Sequence, residues 1–189
     1  MGMLVDDLLL LARLDEGRPL ERQPVELVAL AAEASEASMA VGPQWPVRLD
    51  ASVPIEITAD GNRLRQVLDN LLANVRTHTP AGTETVITIG DAANDAVIRV
   101  SDDGPGMTQE QAARVFERFY RPDDSRSREH GGAGLGLSIA AAIVGAHEGT
   151  ISVSAPLGGG SIFTIRLPIR SDDGGTLSER ALNPEHFSD

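Results

Sequence analysis

The sequence predicts an α+β fold, a two-layer α/β sandwich in which a mixed sheet of about five strands carries three main helices on one face. Three observations predict it. "TVITIG" (Thr85–Gly90) and "AVIRVSD" (Ala96–Asp102) read as a strand pair joined by a turn around Asn94-Asp95, and "TISVSA" and "SIFTIRLP" flank the glycine turn Gly158-Gly159-Gly160. Apolar residues recur at helical spacing in separate stretches between them. Strands and helices mix without strict β-α-β alternation, so hairpins build much of the sheet and the helices gather on one side.

The composition supports a folded domain. A chain of 189 residues, 41% hydrophobic and 23% charged, suffices for one well-buried domain with appendages. Aromatics are only 3% of it, so the core must be aliphatic. No apolar run reaches the roughly 18 residues of a membrane span, and no signal peptide is visible. Cysteine is absent, which excludes disulfides and thiolate metal sites and fits a reducing compartment. A net charge of -12 argues against nucleic acid as a partner. All 16 basic residues are arginine, so any nucleotide mechanism that needs a lysine is excluded.

In chain order, residues 1–16 carry dense leucine at helical spacing until Gly17-Arg18-Pro19, and read as the end of a longer helix that begins upstream. Val25–Ala40 has helical periodicity and alanine-rich propensity. "VRLDA" (Val47–Ala51) and "IEIT" (Ile55–Thr58) are strand candidates. Asp60 caps a helix to about Arg76, with Pro80 beyond it as a stop. Thr108 opens a short helix to about Val115, residues 121–132 form a polar, breaker-rich loop, and Leu135–Ala146 is an apolar helix. The acidic, polar tail 171–189 is expected to be disordered. The main domain is thus expected over 17–170.

Three stretches carry chemistry. "GGAGLGLSIA" (Gly131–Ala140) is a glycine-rich loop entering a helix, a setting in which backbone N–H groups and the helix dipole cradle phosphate. It is not a dinucleotide fingerprint, because Leu137 holds the place of the required third glycine and "RPDDSRSREHG" before it cannot be a buried strand. It is not a Walker loop or a eukaryotic-type kinase loop, which need lysine. Taken alone, it is equally a simple turn.

The helix from Asp60 places Leu64, Val67, Leu68, Leu71, Leu72 and Val75 on one apolar stripe. Asn70 and Asn74 sit one turn apart at its edge. Asparagine is a poor mid-helix residue, so two of them need partners for their amides. An amide oxygen can ligate Mg²⁺, and an amide can orient a water or hydroxyl; bonding to loops or solvent is the competing reading. In "AVIRVSDDGPGM", strand alternation puts Asp102 on the face of Ile98 and Val100. A carboxylate there needs a donor, such as the exocyclic amine of adenine. Asp103-Gly104-Pro105-Gly106 is a tight turn open to a flat ligand, or an acidic turn that merely closes the hairpin.

Taken together and in this order, the segments resemble the ATP-binding domain of bacterial two-component sensor histidine kinases, which shares the Bergerat fold with gyrase B, Hsp90 and MutL. Asn70-Leu-Leu-Ala-Asn74 resembles the N box, Asp102-Asp-Gly104-Pro-Gly106 the G1 box and "RVFERFYR" (Arg114–Arg121) the F box. Gly132-Ala-Gly134-Leu-Gly136-Leu resembles the G2 box, and "GGGSIFT" (Gly158–Thr164) the last glycine box. The resemblance runs from about residue 20 to 168.

The resemblance implies Mg-ATP as the ligand. Asp102 then binds the adenine amino group, with Gly104 and Gly106 beside it and Thr164 reaching the base through water. Asn74 ligates Mg²⁺. Asn70, at the place of a catalytic glutamate in gyrase-type relatives, contacts the nucleotide and orients the nucleophile. Gly132, Gly134, Leu135, Gly136 and Leu137 meet the phosphates, Tyr120 and Arg121 stand at the start of an ATP lid that orders on binding, and Arg126 and Arg128 in the lid are catalytic candidates for the γ-phosphate. Amides, Mg²⁺ and arginine suffice for phosphoryl transfer, which is mostly positioning and charge neutralisation.

One departure concerns the lysine and aromatic that often follow the N box, where this chain has Thr77-His78, with Arg76 adjacent. His147 reads as a packing residue at a helix end. None of His78, His130, His147 and His186 stands in the His-Glu/Asp-x-x-x-Pro setting of a phospho-acceptor. The resemblance therefore implies a histidine-bearing dimerisation domain of the same protein as partner, together with a cognate response regulator. It further implies a monomeric fragment, a homodimeric full-length protein, and a cytoplasmic domain of a membrane-anchored parent. Another Bergerat-fold ATPase, a protein serine kinase and a non-catalytic nucleotide-sensing domain are the alternatives.

Overall fold

A computed structural model describes residues 2–16, 19–51, 53–121, 133–156 and 158–169. In chain order the elements are α1 (Gly2–Asp15), β1 (Gln23–Glu26), α2 (Leu27–Val41), β2 (Val47–Ala51), β3 (Glu56–Ala59), α3 (Gly61–His78), β4 (Thr85–Ala92), β5 (Asp95–Asp102), α4 (Gln109–Arg114), α5 (Gly136–Ala146), β6 (Thr150–Ser154) and β7 (Ser161–Pro168). Five strands form one sheet in the order β2-β4-β5-β7-β6, with β2 parallel to β4 and every other pair antiparallel. Alternation sends Ile87, Ile89, Ile98, Val100, Phe163, Ile165 and Leu167 to one face, where they are buried. Leu27, Leu68, Leu71 and Leu72 from α2 and α3, with Ile139 and Ile143 from α5, complete that aliphatic core. This is the sandwich the sequence predicts.

The expected helix from Val25 begins later. Val25 lies in β1, paired with Ile57, and the Glu26 carboxylate caps α2 by accepting from the backbone N–H groups of Val28 and Ala29. β1 and β3 form a separate two-stranded ribbon, so the strand read at 55–58 does not join the main sheet. α1 packs on α5 through Leu10 and Leu11, while Leu4, Val5, Leu8 and Leu9 are exposed. No helix among the described residues is long and apolar enough to cross a membrane.

α3 and α5 lie antiparallel, and two bonds fix their register. The Asp60 N–H donates to His147 Nε2 at 3.0 Å, and the Asn70 amide donates to the Gly136 carbonyl at 3.0 Å. α3 has 18 residues against 11 in α5. It therefore runs on alone from Asn70 to His78, about 12 Å at the helical rise.

Candidate functional site

That overhang is one wall of a cleft of about 410 Å³. Ala73, Asn74, Thr77 and His78 face it from α3, Gly136 and Leu137 from the start of α5, and Asp102 and Ser161 from the sheet. The segment after β5 closes it with Pro105, Gly106, Met107, Gln111 and Val115, and Tyr120 and Arg121 stand at the rim.

Asp102 ends β5 on the helix-facing side, as alternation requires. It is half-buried, and Oδ1 accepts from the Gly104 N–H at 3.0 Å. Burial pushes its carboxyl above the usual carboxylate range; bonds from Gly104 and from the backbone and hydroxyl of Ser161 pull it back, and Asp103 adds a small upward push. The result is a partly satisfied carboxylate aimed into a cleft.

The adjacent turn is closed by glycine. Gly160 N–H donates to Gly104 O at 2.7 Å, and a Cβ on Gly106 (φ 74°) would lie 2.7 Å from Gly160 O. Gly104 and Gly106 thus serve a backbone-to-backbone contact between the two glycine turns, with Gly106 also lining the cleft.

On the helix, the Asn70 amide nitrogen is committed to Gly136, which leaves its oxygen toward the cleft side of α5. Asn74 lines the same wall, and no hydrogen bond holds it among the described residues. Neither amide is spent on a loop. The N-terminus of α5 is open as well: Leu135 stands at the N-cap position with no side-chain bond to the first-turn N–H groups. Leu135 itself is buried in the core and does not line the cleft; Gly134, Gly136 and Leu137 do. An anion is favoured at such an end.

The F-box segment folds around Gly134. Phe119 N–H donates to the Gly134 carbonyl at 3.0 Å, and a Cβ on Gly134 (φ 72°) would lie 2.9 Å from the Tyr120 carbonyl. Arg114 stacks its guanidinium 4.6 Å over the Tyr120 ring, and Phe116 meets the buried Phe163 edge-on at 6.3 Å. These contacts hold Tyr120 and Arg121 at the rim.

Asn70, Asn74, Asp102, Gly106, Tyr120, Arg121, Gly134, Gly136 and Leu137 come together at one cleft. Thr164 does not. It pairs with Arg99 and Ser152 on the opposite face of the sheet, because Phe163 and Ile165 take the core side. Ser161, three residues earlier and opposite Asp102, holds the position expected of Thr164. Its signal in the sequence was its shared parity with Phe163, blurred by apolar Ile162 on the outer face. Arg126, Arg128 and Gly132 lie outside the described residues.

Arg76 does not supply the charge of the missing lysine: its stem packs on Gly42 and its guanidinium donates to Ser38 on α2, away from the cleft. His78 is at the rim, and surrounding protein, followed by the nearby Arg121 charge, pushes its pKa below the usual 6.5. His147 is buried, as a packing residue should be, and fully bonded.

Residues 59–171, more than half of the chain, match the model of the histidine kinase-, DNA gyrase B-, and HSP90-like ATPase family. The probable sensor histidine kinase TcrY of Mycobacterium tuberculosis is 48% identical over 168 residues, covering 88% of this chain and 35% of that protein. Among solved structures, full-length ShkA in complex with AMPPNP superposes with a TM-score of 0.75 at 29% identity, covering 88% of this chain and 35% of that one. The ATP-binding domain of PrrB from Mycobacterium tuberculosis gives 0.67 at 26% identity, covering 80% and 99%. The chain spans less than half the length of the curated relatives it resembles here.

Proposed function

The chain belongs to the histidine kinase-, DNA gyrase B-, and HSP90-like ATPase family, and we propose that it is the catalytic ATP-binding domain of a two-component sensor histidine kinase. In this reading it holds Mg-ATP while the γ-phosphoryl group passes to a histidine on a dimerisation domain of the same protein. One observation carries the reading: a carboxylate at a strand end, two asparagines on a helix overhang and an uncapped helix N-terminus face one cleft.

The chemistry follows from those groups. Asp102 accepts from the exocyclic amine of adenine, which replaces the solvent a half-buried carboxylate would otherwise lack. The phosphates then extend toward the N–H groups at Gly136 and Leu137 and the charge of Arg121. Among the described residues no cluster of three or more His, Cys, Asp or Glu side chains could hold a metal. A pair of neutral amide oxygens fits instead a cation that arrives on phosphate oxygens, with Asn74 as the protein ligand. When bound, Mg²⁺ neutralises phosphate charge. Asn70, anchored by Gly136, orients the phosphate end and is too weak a base to deprotonate water, which suits transfer to an imidazole better than hydrolysis. Arg126 and Arg128 remain the proposed γ-phosphate contacts and Gly132 a proposed phosphate contact. The acceptor helix, the response regulator, the homodimer and the membrane anchor belong to the parent protein in this proposal, and the chain alone is monomeric.

Calorimetry of ATP binding with and without Mg²⁺ tests the assignment. The unmodified chain should bind, Asp102→Ala should not, and Asn74→Ala should lose the benefit of the metal. Unchanged binding in both variants removes the site. Incubation with γ-labelled ATP should leave no stable phosphohistidine on this chain.

A further inference from the structure

The cleft has a polar neighbour that does not line it. Thr85 is the first residue of β4, Asp102 the last of β5 and Ser161 the first of β7. The register sets Thr85 opposite Asp102 and Asp102 opposite Ser161, so three polar side chains stand in a row on the helix-facing side of the sheet. The Thr85 N–H donates to Pro46 O on the far side, while Asp103 N–H donates to Glu84 O. Thr85 and Asp102 therefore form the non-hydrogen-bonded kind of antiparallel pair, in which opposed side chains lie closest.

Thr85 is 1% exposed, and its hydroxyl is the buried side-chain polar atom without a hydrogen-bond partner among the described residues. Such an atom needs a reason, because valine would fill the same volume without burying an unpaired hydroxyl. Asp102 Oδ1 is turned to the Gly104 N–H.

Resting on the nucleotide-binding reading above, we propose that Thr85 is a positioning residue for base recognition: its hydroxyl donates to the Asp102 carboxylate when that carboxylate turns to accept the exocyclic amine of adenine. A carboxylate has about four acceptor sites, and once it turns from the Gly104 N–H the two donors of Ser161, the amine and the Thr85 hydroxyl fill them. The Thr85 bond favours the form of Asp102 that only accepts. A 6-amino purine offers a donor to that form; a 6-oxo purine offers an acceptor and gains nothing. Thr85 thus sharpens the choice of ATP over inosine triphosphate.

The test uses the full chain with Thr85→Val, Thr85→Ser and, should valine prevent folding, Thr85→Ala. ATP and inosine triphosphate are titrated calorimetrically, and each protein is melted without nucleotide. Thr85→Val should melt no lower than the unmodified chain yet bind ATP about fivefold more weakly, the net worth of one typical hydrogen bond. Inosine triphosphate affinity should hold, so the ratio of the two falls about fivefold, and Thr85→Ser should restore it. An unchanged ratio, whether both affinities hold or both fall together, overturns the proposal and leaves Thr85 a packing residue. Failure of the unmodified chain to bind ATP would overturn the nucleotide reading and this proposal with it.

Discussion

α3 and α5 meet at two ends that are finished in opposite ways. At the Asp60–His147 end every named polar group has a partner. Nε2 of His147 accepts from the Asp60 N–H, which fixes the proton on Nδ1, and Nδ1 donates to the Ile143 carbonyl at 2.8 Å. The Asp60 carboxylate caps α3 by accepting from Arg63 N–H and also accepts from Glu21 N–H, while Arg22 donates to the Ala146 carbonyl and Glu148. At the Asn70–Gly136 end a single bond joins the helices. Beyond it lie an uncapped N-terminus, a half-buried carboxylate and Asn74, which has no hydrogen-bond partner among the described residues. The difference teaches where this fold keeps stability and where it keeps binding capacity. Unequal helix lengths create the site, and the sealed end holds the pair while the open end stays unsatisfied until a ligand arrives.

Asp102→Ala at the open end should produce the largest change. ATP affinity should fall at least about a hundredfold, as expected when a charge-assisted bond to the base is lost, while stability moves by no more than about 1 kcal/mol. A variant that unfolded with its affinity intact would reverse the assignment of the two ends. His147→Ala at the sealed end should do the opposite. It leaves the Asp60 N–H unpaired in a buried place and removes a buried ring, while the Ile143 carbonyl keeps the backbone N–H of residue 147. The change costs about 2 kcal/mol in denaturant melts, with ATP affinity of the folded fraction unchanged.

How well each end could be read from the sequence differs for physical reasons. Asp60 as a cap, the stripe from Leu64 to Val75 and the inward face of Asp102 are local patterns, and each stands where its period placed it. Asn70 and Asn74 at the stripe's edge were legible for the same reason. Thr164 failed because "SIFTI" is apolar on both parities, so only exposed Arg166 marks the outer face. β1 failed because four residues beside an alanine-rich helix carry too little pattern of their own; their strand character comes from pairing with β3. Arg76 was undecidable locally, since its partner Ser38 lies on another helix. His147 read as packing, but its bond to Asp60 spans 87 residues and left no mark in the sequence.

Asn74→Ala sharpens the open end with a smaller effect. ATP affinity in magnesium should drop about tenfold, and the gain that the unmodified chain shows over its affinity in chelator should vanish, because one ligand in the ion's octahedron is lost. Equal losses with and without the metal would place Asn74 against the nucleotide itself.

The smallest effect belongs to pH, and it too separates the ends. Burial above all, and then the Arg22 charge, hold the His147 pKa below 6.5, against the Ile143 bond and Asp60, which raise it. The folded state therefore resists a proton that the unfolded chain accepts. Stability is complete above the unfolded value of 6.5 and declines as pH falls from there toward the lowered folded value. Between about pH 7.5 and 6 the loss from one such histidine is below about 1 kcal/mol. Arg22 and Asp60 are the charges that act on His147, and Glu148 pairs with Arg22. His78 is shifted the same way but keeps an exposed edge, so solvent weakens its share. Denaturant melts across the range should lose most of their pH slope in His147→Gln and little of it in His78→Gln. A slope that followed His78 instead would mean that the open end, and not the sealed one, carries the fold's sensitivity to acid.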